Sequence, residues 1–398
     1  MDPDRTALLR HPSVARAAAL CLEDDERTLA WQMEITALPA PPFREERRAR
    51  RMGELLAEAG AVGIRTDAEG NVLADVPGPQ GVTPLILSAH LDTVFAEDVP
   101  IAVTREGDLL LGPGISDDGR GLAVVLAVVR ALGRADVRLA RPLLVAATVG
   151  EEGLGDLRGA RHLVGPGGEG RAAAGFISVD GAGLDRIVAR GVGSRRFRIT
   201  VRGTGGHSWM DWGIANPIHA LGAAVHRMAS APLATEPLTT LTVARWGGGT
   251  SINSIPQEAW LEVDTRSTSE EHLERLEGAL RSEVEHAVVD ESARGSAQAL
   301  TVELERVGRR VAGATDPDHP LVRAVVAATE EVGSSALLTE SSTDANAAMA
   351  VGIPAVTVGG GGEAGLSHTT EEWYRNVRGP EGVVRALYAV VLFCGLEG

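Results

Sequence analysis

Cysteine is nearly missing from this chain: Cys21 and Cys394 are the only two in 398 residues. That excludes a disulfide-stapled scaffold and any thiolate-rich metal cluster. An excess of basic residues is missing too, since 54 Asp and Glu outnumber 38 basic side chains and leave a formal charge of −16. A chain of that sign has no electrostatic reason to seek phosphate backbones or anionic lipid, so neither a nucleic-acid nor a membrane partner is expected. Long apolar runs are also lacking. The longest, Leu122 to Val129, falls far short of the ~20 residues that a membrane span requires. The start carries no basic stretch, and the run Val14 to Leu22 is broken by Arg16 and followed by Glu23-Asp24-Asp25-Glu26, which does not fit a secretory leader. A soluble cytoplasmic protein is the expectation.

What is present is globular in character, with 44% apolar and 23% charged residues. The length suits two domains with a sizeable core. From about Asp25 to Gly60 the spacing is helical, but Pro39-Ala40-Pro41-Pro42 interrupts it, so two helices are predicted, Asp25–Leu38 and Arg44–Ala59. Apolar strands then alternate with helical patterns: Leu85–Leu87, Leu143–Val149 and Phe176–Val179, with a long helix at Gly119–Leu132. Continuous apolar strands of this kind predict a mostly parallel sheet covered by helices on both faces. The texture changes between Ser194 and Gly308. There Arg195–Arg202 and Ala259–Thr265 alternate polar with apolar residues, and helices near Asn216–Ala229 and Ser269–Val289 give a β-α-β-β-α-β order, that of a split βαβ domain. After Pro317 the α/β texture returns, with helices at Leu321–Val332, Thr343–Val351 and Pro380–Phe393 and a strand at Ala355–Val358. The expected architecture is therefore an α/β domain (1–193 and 309–398) interrupted by an α+β domain (194–308).

The chemistry gathers after the strands. The first leads into His90-Leu91-Asp92, the second into Glu151-Glu152, the third into Asp180, and the last through a Gly-rich loop to His368. Asp117-Asp118 sits in another Gly-rich loop before a helix. Singly, each has an ordinary explanation: a surface pair, a solvated acidic turn, a helix cap, or a histidine ahead of a helix start at Thr369-Thr370-Glu371-Glu372. Together they lie where open α/β sheets bind ligands, and so many acids on one sheet edge repel one another unless cations are present. Two metal ions sharing a bridging carboxylate need about five ligands, and His90, Asp117, Glu152, Asp180 and His368 supply them. Glu151 is left over as a general base. Asp92 is placed to accept the His90 N–H. Histidine and carboxylate without thiolate suit zinc, with cobalt or manganese as alternatives.

At Ser88-Ala89-His90-Leu91-Asp92-Thr93-Val94, Gly112-Pro113-Gly114-Ile115-Ser116-Asp117-Asp118, Gly150-Glu151-Glu152-Gly153, Val179-Asp180-Gly181 and Ser367-His368-Thr369, the chain resembles the M20 metallopeptidases, a family that includes peptidase T, glutamate carboxypeptidases and aminoacylases. The resemblance runs from the Pro39–Pro42 turn to His368. It implies a zinc-peptidase type fold with an inserted dimerisation or lid domain, and a homodimer formed through that domain. It further implies that Asp117 bridges the ions, His90 and Asp180 complete one site, Glu152 and His368 the other, Glu151 acts as base and Asp92 orients His90. A cis peptide between Asp117 and Asp118 belongs to the same expectation. In the inserted domain, His207 resembles the histidine that reaches a partner subunit's active site to stabilise the oxyanion, while Asn253 and Arg266 resemble residues that bind substrate polar groups or a carboxylate. One departure is visible: many members have Lys after the Asp-Asp pair, where this chain has Gly119-Arg120.

The expected reaction is hydrolysis of peptide bonds in small peptides. The alternatives are an N-acyl-amino-acid deacylase using the same site, and a catalytically silent metal-binding or assembly protein.

Overall fold

The computed structural model describes residues 7–295 and 298–397. The chain divides into two compact units, Met1–Gly191 with Ala314–Gly398, and Val192–Gly313.

The first unit is α/β. Among the described residues its main sheet has nine strands, in the order Val62–Thr66, Val72–Val76, Leu143–Thr148, Leu85–His90, Gly175–Val179, Ala355–Val358, Arg186–Gly191 and the two-residue Gly313–Ala314, with Leu337–Ser341 also paired to Arg186–Gly191. The middle strands are parallel and their residues are buried throughout, which is why they read as unbroken apolar runs. Val62–Thr66 and Val72–Val76 form an antiparallel edge that the apolar pattern does not announce.

Proline separates two of the N-terminal helices, Asp25–Thr36 and Glu46–Ala59, and the second stops at Gly60, whose φ of 99° suits a residue without Cβ. A further helix, Pro12–Glu23, was not anticipated. Its run of alanines is only weakly apolar, but Val14, Ala17 and Cys21 pack into the same core as the last helix, Gly379–Cys394. The long helix Gly119–Arg134 is buried on nearly every side, and its Asp118 cap accepts the Gly121 N–H at 2.9 Å.

A second, small sheet was also unforeseen: Glu363–Gly365, Trp373–Arg375, Leu109–Leu111 and Thr104–Glu106, antiparallel in that order. Trp373 pairs with Leu111, so the chain entering the Asp117 loop and the chain leaving His368 run side by side.

The second unit is a four-stranded antiparallel sheet, Thr239–Gly248, Glu258–Ser267, Gly193–Arg202 and Thr301–Arg310, with helices Pro217–Ser230 and Glu270–Arg294. Phe197, Ile199, Val201, Ala259, Leu261 and Val263 point into one core with Leu221, Ala224, Leu280 and Val284 from the helices. The alternate residues form a charged ladder on the other face, with Arg198 bound to Glu262 at 2.8 Å and lying 4.0 Å over the Trp260 ring. The order is β-α-β-β-α-β, interrupted only by the short pair Gly206–His207 and Ser254–Ile255.

Candidate metal centre

Strand register brings the site together. His90 pairs with Thr148, Ser88 with Ser178, and Val179 with Val358, so four parallel strands end at one level. The residues that follow are therefore neighbours. Asp92 is fully buried and accepts the N–H groups of Glu151 and Glu152 at 2.9 and 2.8 Å, one on each carboxylate oxygen. Burial alone pushes its carboxyl up, but the His90 ring and those two N–H groups outweigh it and hold Asp92 below the usual range.

His90 Nδ1 lies 3.1 Å from the carbonyl oxygen of Asp92 and 3.6 Å from its carboxylate, so the main chain is the ring's hydrogen-bond partner. The other nitrogen, Nε2, is 2.9 Å from Asp117 Oδ1.

Asp117 and Asp118 are joined by a cis peptide bond and divide the labour. Asp118 faces inward, where Oδ2 accepts the His90 N–H at 3.0 Å and Oδ1 those of Gly121 and Gly181 at 2.9 and 3.2 Å. Burial raises its pKa well above a normal carboxyl. Asp117 turns one oxygen toward His90, and the other lies 3.2 Å from His368 Nε2. That same His368 nitrogen is 2.9 Å from Glu152 Oε1. One ligand atom each from His90, Asp117 and Glu152 lies within 4.8 Å of the others.

The electrostatics are those of crowded acids around two imidazoles. Contacts with Asp117 and Glu152 push His368 up to about 10. The His90 pKa also stands well above normal, because Asp117 and Asp92 outweigh the opposing effect of burial. Asp180 does not join the close trio, but burial and the nearby Asp117 charge push it up to about 7. Burial also acts to raise Asp117, yet the two histidines outweigh it and hold the carboxyl low. Glu151 is buried beside this cluster.

The description of peptidase family M20/M25/M40 matches residues 86–392. The chain belongs to that family. As an M20 protein it is an amide-bond hydrolase of the metallopeptidase type. A Mycobacterium tuberculosis protein provisionally named succinyl-diaminopimelate desuccinylase DapE is 26% identical over 358 residues, which cover 85% of this chain and 92% of the relative. The solved structure of aminopeptidase PepT from Bacillus cereus superposes with a TM-score of 0.73 at 22% identity, covering 93% of this chain and 98% of that one. The YXEP protein of Bacillus subtilis, described as a dinuclear metal binding peptidase, gives a TM-score of 0.65 at 17% identity, covering 94% and 98%.

Three expected site residues of this M20 chain lie in the second unit. His207 is exposed on a two-residue strand, and its Nδ1 accepts the Trp209 N–H at 3.2 Å. Asn253 stands beside it, since its carbonyl accepts the Ser208 N–H at 3.0 Å, while its side-chain oxygen accepts the Ser251 hydroxyl. Arg266, half-exposed, donates to Asp264 at 2.7 Å on its own strand.

Sequence reading passed over two buried groups. Arg48 is fully buried and donates to the carbonyls of Thr36, Leu38 and Leu91, the last lying between His90 and Asp92. Glu372 is also fully buried and accepts N–H groups of the Asp117 loop. His368 precedes no helix: it lies in a hairpin between Glu363–Gly365 and Trp373–Arg375. Arg120, at the departure from the family pattern, donates to the carbonyls of Gly360 and Gly379 and so braces the segment that carries His368. Among the described residues no helix is long and apolar enough to cross a membrane.

Proposed function

We propose that this chain hydrolyses peptide bonds of small peptides at a centre for two divalent ions, zinc being the expected metal and cobalt or manganese also suited to the ligand types. The observation that carries this reading is the meeting of His90, Asp117 and Glu152 ligand atoms within 4.8 Å, with His368 closing against both Asp117 and Glu152. The donor set fits such ions: imidazoles and carboxylates only, with acids crowded enough that Asp180 is driven to about 7. Asp117 would bridge, His90 and Asp180 would hold one ion, and Glu152 and His368 the other.

Divalent ions bound there would lower the pKa of water toward ~7 and polarise a carbonyl oxygen. The remaining steps belong to the protein. Glu151 takes the proton of the attacking water and passes it to the leaving amine. Asp92 holds the main chain of Glu151 and Glu152 and so fixes where the base stands. His207, contributed by a second copy in a homodimer formed through the inserted unit, donates to the developing oxyanion. Asn253 and Arg266 bind the substrate's polar groups and carboxylate. A cytoplasmic setting agrees with the near absence of cysteine.

A second reading, removal of an acyl group from an N-acyl amino acid, is favoured by the desuccinylase name of the Mycobacterium relative. Both are tested by measuring metal content and turnover of di- and tripeptides and N-acyl amino acids, before and after chelation. Chelator-sensitive peptide cleavage is the expected result. Turnover confined to acylated amino acids moves the assignment to the second reading, and no chelator-sensitive turnover on either set overturns both.

A further inference from the structure

The hairpin that carries His368 also carries Glu372, whose carboxylate is fully buried. Three main-chain N–H groups point into it: Gly114 to Oε2 at 3.0 Å, and Ser116 and Asp117 to Oε1 at 2.8 and 2.9 Å. The Glu372 carbonyl in turn accepts the Gly112 N–H at 3.0 Å. Residues 114–117 are therefore wound around one side chain, and Gly112 is held by the main chain of the same residue.

A carboxylate collecting several N–H groups makes charge-assisted bonds, and a buried donor left without an acceptor is costly. The loop cannot easily take another path. Gly114 has a φ of +77°, and a Cβ there would meet Thr93 Cγ2 at 2.7 Å. Below it, Trp373 pairs with Leu111. The consequence concerns two residues 251 positions apart: His368 Nε2 and Asp117 Oδ2 face each other at 3.2 Å because their two segments are fastened at Glu372. The other side of Asp117 is set independently, since His90 ends a central strand and its N–H is held by Asp118.

We propose that Glu372 is a positioning residue that fixes the spacing between Asp117 and His368, and thereby the affinity of the metal position those two share with Glu152. This rests on the two-ion reading above. Glutamine in its place keeps the shape but turns an NH2 group toward an N–H donor, so part of the cradle becomes repulsive. The loss falls on the His368 side of the centre and leaves the His90 side nearly intact.

The test is calorimetric titration of the metal-depleted full chain with zinc alone. The set comprises wild type, Glu372→Gln, Glu372→Asp, the exposed neighbour Glu371→Gln, His368→Ala, and His368→Ala combined with Glu372→Gln, with the melting temperature of each metal-free form measured alongside. Wild type takes up two equivalents. Glu372→Gln keeps the first and binds the second about tenfold to a hundredfold more weakly, Glu371→Gln matches wild type, and Glu372→Gln adds nothing once His368 is gone. Should the Gln variant fail to fold, Glu372→Asp, which keeps the charge but shortens the reach, carries the same expectation with a smaller loss. Wild-type affinity for both ions in a folded Glu372 variant overturns the proposal alone. So does a loss of the same size with His368 removed, because Glu372 would then not be acting through that residue. A wild-type chain that takes up no zinc overturns the two-ion reading and this proposal with it.

Discussion

Asp92 Oδ2 accepts the main-chain N–H of Glu152 at 2.8 Å, while its other oxygen takes that of Glu151 at 2.9 Å. One buried carboxylate thereby sets the direction of a turn bearing both a candidate ligand and the candidate base. In Asp92→Asn a single oxygen remains for two donors. The expected result is a tenfold to hundredfold fall in kcat, the range typical of groups that support metal ligands, with a smaller change in KM. Steady-state kinetics on a cleaved peptide measure both, and an unaltered kcat contradicts the role.

Glu151→Gln removes the proton acceptor while keeping side-chain size. Metal content should match wild type, and turnover should fall by about 10²–10⁴, the usual contribution of a general base. Elemental analysis beside kinetics separates the two effects. Near-normal turnover removes Glu151 from the mechanism.

In the metal-free chain contacts with Asp117 and Glu152 push His368 up to about 10, and burial pushes Asp180 up to about 7, so both hold protons more tightly than the free side chains do. If both are ligands, as proposed, divalent ions take them as free bases, and uptake is expected to expel protons and strengthen as pH rises. Zinc titrations in buffers of different ionisation enthalpy should show net proton release at pH 7. A pH-independent affinity between 6 and 9 rules this out. The raised His368 pKa has the opposite sense for folding without metal. Its stabilisation is complete below the unfolded value near ~6.5 and is lost as pH climbs through about 10. The side chain is half-exposed, so solvent keeps that contribution small.

Arg48 is a buried cation that binds main-chain carbonyls, with burial drawing its pKa down to about 10 against the pull of Asp92 and Asp118. Arg48→Met fills similar space but strips the carbonyls of Thr36, Leu38 and Leu91 of their donor. A loss of about 3 kcal/mol or more is expected from unsatisfied buried acceptors, measured by denaturant unfolding of the metal-free protein. A change below about 0.5 kcal/mol, the size of an ordinary surface substitution, would mean the carbonyls find other partners.

The residues legible in the sequence are those whose chemistry interrupts a pattern. His90, Glu151, Glu152 and Asp180 each end a continuous apolar run, so their placement at one sheet edge follows from the strands themselves. The order of the inserted unit was equally plain, because its strands alternate with one face in the core. Glu372 offered no such signal. Its partners lie 255 to 258 positions away and are N–H groups, which every residue but proline possesses. Following Thr369-Thr370-Glu371, it reads as one more acid in a polar turn. Arg48 was hidden for a related reason: one of several arginines in a helix whose exposed face is charged, it is singled out only by carbonyls of distant segments. The helix Pro12–Glu23 escaped because alanine marks no face strongly.

The position of Ala355–Val358 in the main sheet bears on how the chain is made. This strand lies between Gly175–Val179 and Arg186–Gly191, yet it is synthesised after both and after the whole of Val192–Gly313. As the chain leaves the ribosome, the inserted unit already holds all of its strand partners and can close on itself. The main sheet stays open at its middle until Ala355–Val358 is made, and His368 and Glu372 emerge later still. A nascent or prematurely stopped chain therefore carries His90, Asp117, Glu152 and Asp180 without the segment that closes over them. The candidate centre is complete only once the segment bearing His368 and Glu372 has been made.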